Sequence, residues 1–228
     1  AAMEKGHGSE FPVIRGAWPD WWTDGFGAGA REVATVRASS ALLMANTAGL
    51  SMASVAGTGL PGKISEKIDL ADNALLFFTE HTTGYSESVR EPYSLQTMEQ
   101  RAIKESYAWE ANRRTASIGE ETMGLLQSLF SRAKMPSLVV FNTLNWKRSG
   151  MVTVYIDHQI VPRGKNAAIY DGNGNRLATQ ALSHRSDGTY WAVWLSDIPP
   201  FGYRKYTISA EESPGIKPVS SSGILENQ

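Results

Sequence analysis

Lys134-Met135-Pro136-Ser137-Leu138-Val139-Val140-Phe141-Asn142 is where the chain changes class. Before Pro136 apolar residues recur at helical spacing; after it they come in short β-type runs. A helix that continued through the proline would lose a hydrogen bond and clash with its preceding turn. The runs beyond are Leu138–Phe141, Val152–Ile156, Ala167–Tyr170, Tyr190–Leu195 and Arg204–Ile208. Turn signals separate them, among them Asp171-Gly172-Asn173-Gly174, a strong hairpin element. That segment lacks the length and ligand pattern of an EF-hand loop, so it reads as a turn. Tyr190, Ala192 and Trp194 alternate with Trp191, Val193 and Leu195. A strand apolar on both faces is expected in the middle of a sheet. The region reads as a small antiparallel β-sandwich, or part of one.

Upstream, three helices are expected. From about Ala28, Val33, Val36, Ala41, Met44 and Ala48 recur at spacings of three to five, and Gly57-Thr58-Gly59-Leu60-Pro61-Gly62 ends the pattern. Asp69 is a good N-cap for a second helix, with Leu70, Ala74, Phe77 and His81 on one stripe and Gly84 as the stop. If that helix reaches His81, the imidazole points inward. Thr97 and Gln100 have capping-box spacing for a third helix running to about Lys134, with Ala102, Ser106, Trp109 and Arg113 along one side. Short connections between three helices imply an antiparallel bundle. The expected organisation is α+β and multidomain: residues 1–27 as loop, 28–135 as the three-helix bundle, 136–210 as the β-sandwich segment, and 211–228 as a linker with the start of a further β-domain.

Composition narrows the function classes. Lys and Arg number 22 against 23 Asp and Glu in 228 residues, a net charge of -1, and no basic stripe marks a nucleic-acid partner. The absence of cysteine removes disulfides, thiolate metal sites and Cys nucleophiles without fixing the compartment, which is cytoplasmic or periplasmic for a bacterial protein. Ala38 to Gly62 carries no charge, but its Ala, Ser, Gly and Thr content and Asn46 fit a helix among helices better than a membrane span. His7, His158 and His184 have no ligand spacing and are expected on the surface.

Two segments carry candidate chemistry. Leu75-Leu76-Phe77-Phe78-Thr79-Glu80-His81-Thr82-Thr83-Gly84 delivers a carboxylate and an imidazole to a turn. Trp18-Pro19-Asp20-Trp21-Trp22-Thr23-Asp24-Gly25 interleaves indoles with carboxylates. Indoles stack on the apolar faces of sugar rings, and carboxylates accept hydrogen bonds from hydroxyls. The pair suggests part of a carbohydrate site, although the indoles could equally pack a loop and Asp20 and Asp24 could cap turns.

Several segments resemble, in order, one family. The stretch from Phe11 to Gly25 looks like the close of the catalytic domain in bacterial glycoside hydrolase family 38, the α-mannosidases. Glu80-His81-Thr82 is similar to the family's histidine motif, Phe141-Asn142-Thr143-Leu144-Asn145-Trp146 and Ile198-Pro199-Pro200-Phe201-Gly202-Tyr203 to strands opening its β-region, and Leu225-Glu226-Asn227 to the start of its central β-domain. The resemblance implies a retaining glycosidase acting on α-mannosides with two carboxylates and a divalent metal, usually zinc. It places His81 as the one metal ligand in this chain, where Glu80 and Thr82 stand in for the family's His and Asp. Trp22, or else Trp21, matches the stacking aromatic, with Asp20, Asp24 and Glu80 as further sugar-binding candidates. No catalytic carboxylate has a counterpart here. The chain is thus expected to be an inactive fragment whose partners are the catalytic α/β domain and C-terminal β-domains of the same protein. The alternative is a non-enzymatic helical and β module that binds carbohydrate or protein.

Overall fold

The computed structural model describes residues 2–10, 15–16, 27, 29–80, 82 and 87–212. The fold is α+β. Helix α1 spans Ala2–His7, followed by a 3-10 turn at Gly8–Glu10; α2 spans Ala30–Val55, α3 Ile64–Thr79 and α4 Leu95–Ser128. Seven antiparallel strands follow: β1 Ser137–Asn142, β2 Arg148–Asp157, β3 Lys165–Tyr170, β4 Arg176–Leu177, β5 Thr179–His184, β6 Gly188–Ile198 and β7 Gly202–Glu212. The chain divides into two compact units, Ala1–Leu43 with Lys63–Gly119, and Met44–Gly62 with Glu120–Gln228. Both α2 and α4 contribute to each unit.

The helices differ in detail from the expected pattern, and packing explains the differences. The N-terminal segment, expected as loop, contains α1, whose Ala-Met-Glu-Lys start is made of good helix formers. On α2 the buried stripe is Glu32, Val36, Ser39, Leu43, Asn46, Leu50 and Ala53, while Met44 is 74% exposed. Helix α3 begins at Ile64, not Asp69, behind Lys63 in the left-handed region at φ 62° and without a side-chain cap. Burial of Ile64 outweighs the capping preference of Asp69 in setting the start. The buried face is Ile64, Ala71, Ala74, Leu75 and Phe78, one residue round from the expected stripe, and it leaves Leu70 and Phe77 exposed.

Helix α4 starts at Leu95, ahead of the expected capping box. Ser94 Oγ accepts from the Thr97 backbone N–H at 3.4 Å and lies 2.9 Å from the Thr97 hydroxyl. Its inner stripe is Thr97, Lys104, Ala108, Ala111, Thr115, Ile118, Thr122 and Leu126, and Trp109 lies outside it. The helix stops at Ser128, six residues short of Lys134. No helix among the described residues is long and apolar enough to cross a membrane.

The strand region follows the sequence pattern closely. All five expected runs are strands, and Asp171–Gly174 turns β3 into β4, with Gly174 at φ 83° and Asp171 Oδ1 accepting the N–H groups of Asn173 and Asn175. Two sheets form, ordered β1-β7-β3-β4 and β2-β6-β5. Strand β6 is central in its sheet, as the two-faced apolar pattern implies. Its outer face is not covered, however: Trp194 is 57% exposed. Strands β4 and β5 have no apolar run and are held by pairing, and β7 extends to Glu212, into the expected linker. Between the sheets Ile156, Trp191, Val193, Leu195 and Ile198 meet Ala167, Ile169, Tyr206 and Ile208. Each large apolar side chain fully buried there contributes roughly 1.5–3 kcal/mol.

Candidate functional site

Of the residues nominated from sequence, Glu80 is described; Asp20, Trp21, Trp22, Asp24 and His81 lie outside the described residues. Helix α3 ends at Thr79, and Glu80 turns out of it at φ -55°, ψ 135°, its N–H closing the last turn on Leu76 O. Glu80 already lies outside the helix.

A single lysine fixes this helix end. Lys104 of α4, 9% exposed, donates from Nζ to Phe77 O at 2.9 Å, to Glu80 O at 2.6 Å and to Glu80 Oε2 at 3.3 Å. An ammonium has three protons, and here it meets three acceptors. The position is also the favoured one for a cation, at the negative end of a helix dipole. Sequence reading missed Lys104. The signal was its place on the heptad-like stripe of Thr97, Ala108, Ala111, Thr115 and Ile118, where a charged residue has to find a buried partner.

The Glu80 carboxylate is also tied locally. Its Oε1 accepts from the Thr82 hydroxyl at 2.7 Å and the Thr82 N–H at 3.0 Å. These bonds, with smaller help from Lys104, hold the group well below the usual carboxylate range, at about 2. Glu80 is thus ionised at neutral pH and is unsuited to donate a proton as a general acid.

Beside it runs an open groove of about 470 Å³ lined by Phe77, Tyr107, Gln96, Glu99 and Gln100 as well as Glu80. Phe77 and Tyr107 stack at 5.3 Å between centroids and 22° between planes. Aromatic faces beside amides and carboxylates suit a polyhydroxylated ligand better than an apolar one. Among the described residues no three His, Asp or Glu side chains converge, and at Glu80 the cation is the Lys104 ammonium.

A second motif pair meets in the β-region. Asn142, 4% exposed, donates from Nδ2 to Trp146 O at 2.7 Å, Pro199 O at 3.1 Å and Ile198 O at 3.2 Å, and its Oδ1 accepts the Leu144 N–H at 3.1 Å. Phe201 N–H donates to Leu144 O at 2.9 Å. The segments 141–146 and 198–203 are therefore halves of one structural clasp, and no substrate contact is needed to explain them.

No protein-family model matches the sequence, and no curated protein matches it. Among solved structures, a glycosyl hydrolase family 38 protein from Enterococcus faecalis is similar at 16% identity and TM-score 0.52, over 93% of this chain and 28% of that one. An α-mannosidase from Enterococcus faecalis V583 is similar at 16% identity and TM-score 0.46, over 72% of this chain and 22% of that one. The chain spans about a quarter of the length of the solved structures it matches. At this identity, the first of these similarities is one of fold: the described helices and strands have the arrangement of part of a family 38 glycosyl hydrolase.

Proposed function

We propose that this chain is the middle portion of a glycoside hydrolase family 38 α-mannosidase, which cleaves α-mannosides with retention in the context of a longer protein. The observation that carries the reading is the fold likeness to a family 38 protein across 93% of the chain, coupled with four sequence segments in the family's order. The reading makes His81 a metal ligand, and Asp20, Trp21, Trp22, Asp24 and Glu80 sugar-binding groups. Zinc is the metal it implies. The nucleophile and the acid/base would come from the catalytic domain, so the 228-residue chain by itself would not hydrolyse a glycoside.

The position of Glu80 is compatible with this role. An ionised carboxylate beside an aromatic-lined groove is an acceptor of the kind that sugar hydroxyls bond to.

The test uses the protein translated from the entire open reading frame. Zinc content by elemental analysis and activity on an aryl α-mannoside are measured for it and for its His81→Ala variant. The proposal expects close to one zinc per protomer, with both zinc and activity lost in the variant at an unchanged melting temperature. If zinc and activity are retained in His81→Ala, the ligand assignment fails. If the whole protein has neither, the enzyme reading fails and a binding module is left.

A further inference from the structure

We infer that one end of the β-sandwich holds a second site, a pocket for a small anionic ligand whose recognised group is a phosphoryl group. It lies between the loop after β2 and the β5–β6 turn, in a cavity of about 510 Å³. That volume is within the range of small-molecule sites and larger than a bare oxyanion needs. The described lining includes Arg163, Arg185, His158, His184, Thr189 and Trp191, and it contains no Asp or Glu.

The hydrogen bonding at the floor favours an acceptor. Thr189, 4% exposed, has its hydroxyl oxygen 3.2 Å from His158 Nε2 and 3.0 Å from His184 Nδ1. A hydroxyl has one proton, so it donates to at most one of the two rings and accepts from at least one of them. A neutral ring that accepts from Thr189 carries its own proton on its far nitrogen. With Thr189 donating to one ring, that ring has an N–H left to offer a ligand. Trp191 is 3% exposed, and its buried indole N–H has no acceptor among the described residues. Indole N–H is a donor only, so it adds no acceptor to the pocket floor.

The charges agree. Arg163 donates from one terminal nitrogen to Arg185 O at 3.3 Å and Ser186 O at 3.1 Å, which orders its guanidinium across the mouth of the pocket. Both of these bonds use one terminal nitrogen, and no carboxylate is among the described residues that line the pocket beside it. Arg185 is paired with Asp187 at 3.2 Å, and Lys165 with Glu212. A guanidinium fork suits a tetrahedral oxyanion, to which it donates two parallel hydrogen bonds. The same surroundings argue against a metal at the two histidines: no third ligand converges among the described residues, and the neighbouring guanidiniums repel a cation.

The test is calorimetric titration of the 228-residue chain with inorganic phosphate, glucose 6-phosphate and glucose at matched ionic strength. Saturable binding of phosphate and glucose 6-phosphate, with glucose silent, is expected. Arg163→Ala should weaken it about tenfold or more, the weight of a charge-assisted pair, without moving the melting temperature. If Arg163→Ala melts lower because its two carbonyl contacts are gone, Arg185→Ala, whose pair with Asp187 is exposed and worth little to stability, gives the same reading. Tighter binding of glucose 6-phosphate than of phosphate marks a phosphorylated metabolite as the ligand; equal affinity marks free phosphate. Failure of both to saturate, or affinities unchanged in Arg163→Ala and Arg185→Ala alike, overturns the proposal.

Discussion

Asn142 shows how much one buried amide can hold. Its side chain joins the end of β1 to the loop before β7 through Trp146, Ile198 and Pro199 carbonyls. Asn142 is 4% exposed, and removing its amide leaves the buried Ile198 carbonyl and several part-buried backbone groups without this partner, a loss of about 1–3 kcal/mol for a buried group. Asn142→Ala should therefore lower stability by about 2 kcal/mol or more, read as a fall of roughly 5 °C in the melting temperature. A change within experimental error would show that the clasp has little weight. Glu80 acts through charge. Its folded-state value of about 2 lies below the ordinary 4.5, so its ionised form stabilises the fold above the ordinary value. That contribution is lost as pH falls from 4.5 towards 2. Glu80→Gln should accordingly melt below the parent at pH 6. The two curves should converge between pH 4.5 and 2. Parallel curves down to the lower limit would contradict the assignment.

At the scale of elements, close approach of α2 and α4 depends on Gly49. A β-carbon there would lie 2.7 Å from Thr122 Cγ2 and 3.5 Å from Leu126 Cδ1, both in side chains at or below 3% exposure. Overpacking costs roughly 1–3 kcal/mol, against a helical gain of about 1 kcal/mol for alanine over glycine. Gly49→Ala should lower the melting temperature, and Thr122→Ser in the same background should restore it by deleting the clashing methyl. A stabilised single variant would show that the helices have room to separate. This contact also explains why the strands were legible in sequence and the helix faces less so. Strand positions such as Val152, Val154 and Ile156 are apolar at period two and lie opposite Val193, Trp191 and Thr189. The inner faces of α2 and α4 instead use Glu32, Ser39, Asn46, Lys104, Thr115 and Thr122. A hydrophobic period passes over such residues, so the expected stripes fell one or two positions away. The short strands β4 and β5 were illegible for a related reason: their order comes from pairing with β3 and β6, not from their own apolar content.

For the molecule as a whole, the order of helices followed by two antiparallel sheets was readable from the class change at Pro136. The candidate site was readable only in part. Glu80 was visible as a carboxylate beside a turn, but its buried partner Lys104 is 24 residues away and acts through geometry that spacing does not encode. Of the two histidines expected on the surface, His184 is exposed and His158 half-buried, and both contact the buried Thr189 hydroxyl, across 5 and 31 residues of sequence. Resemblance supplied what local pattern could not, namely a family whose fold the described residues share. The mannosidase reading makes a demand on the entire protein that no single side chain here can meet.

That demand is met or refused by following hydrolysis of an aryl α-mannoside with proton NMR, using the protein translated from the full reading frame. A retaining family 38 enzyme releases α-mannose first, which then mutarotates, because two displacements at the anomeric carbon restore its configuration. First release of the α anomer is the predicted result. First release of the β anomer, or no hydrolysis with zinc supplied, would contradict the account.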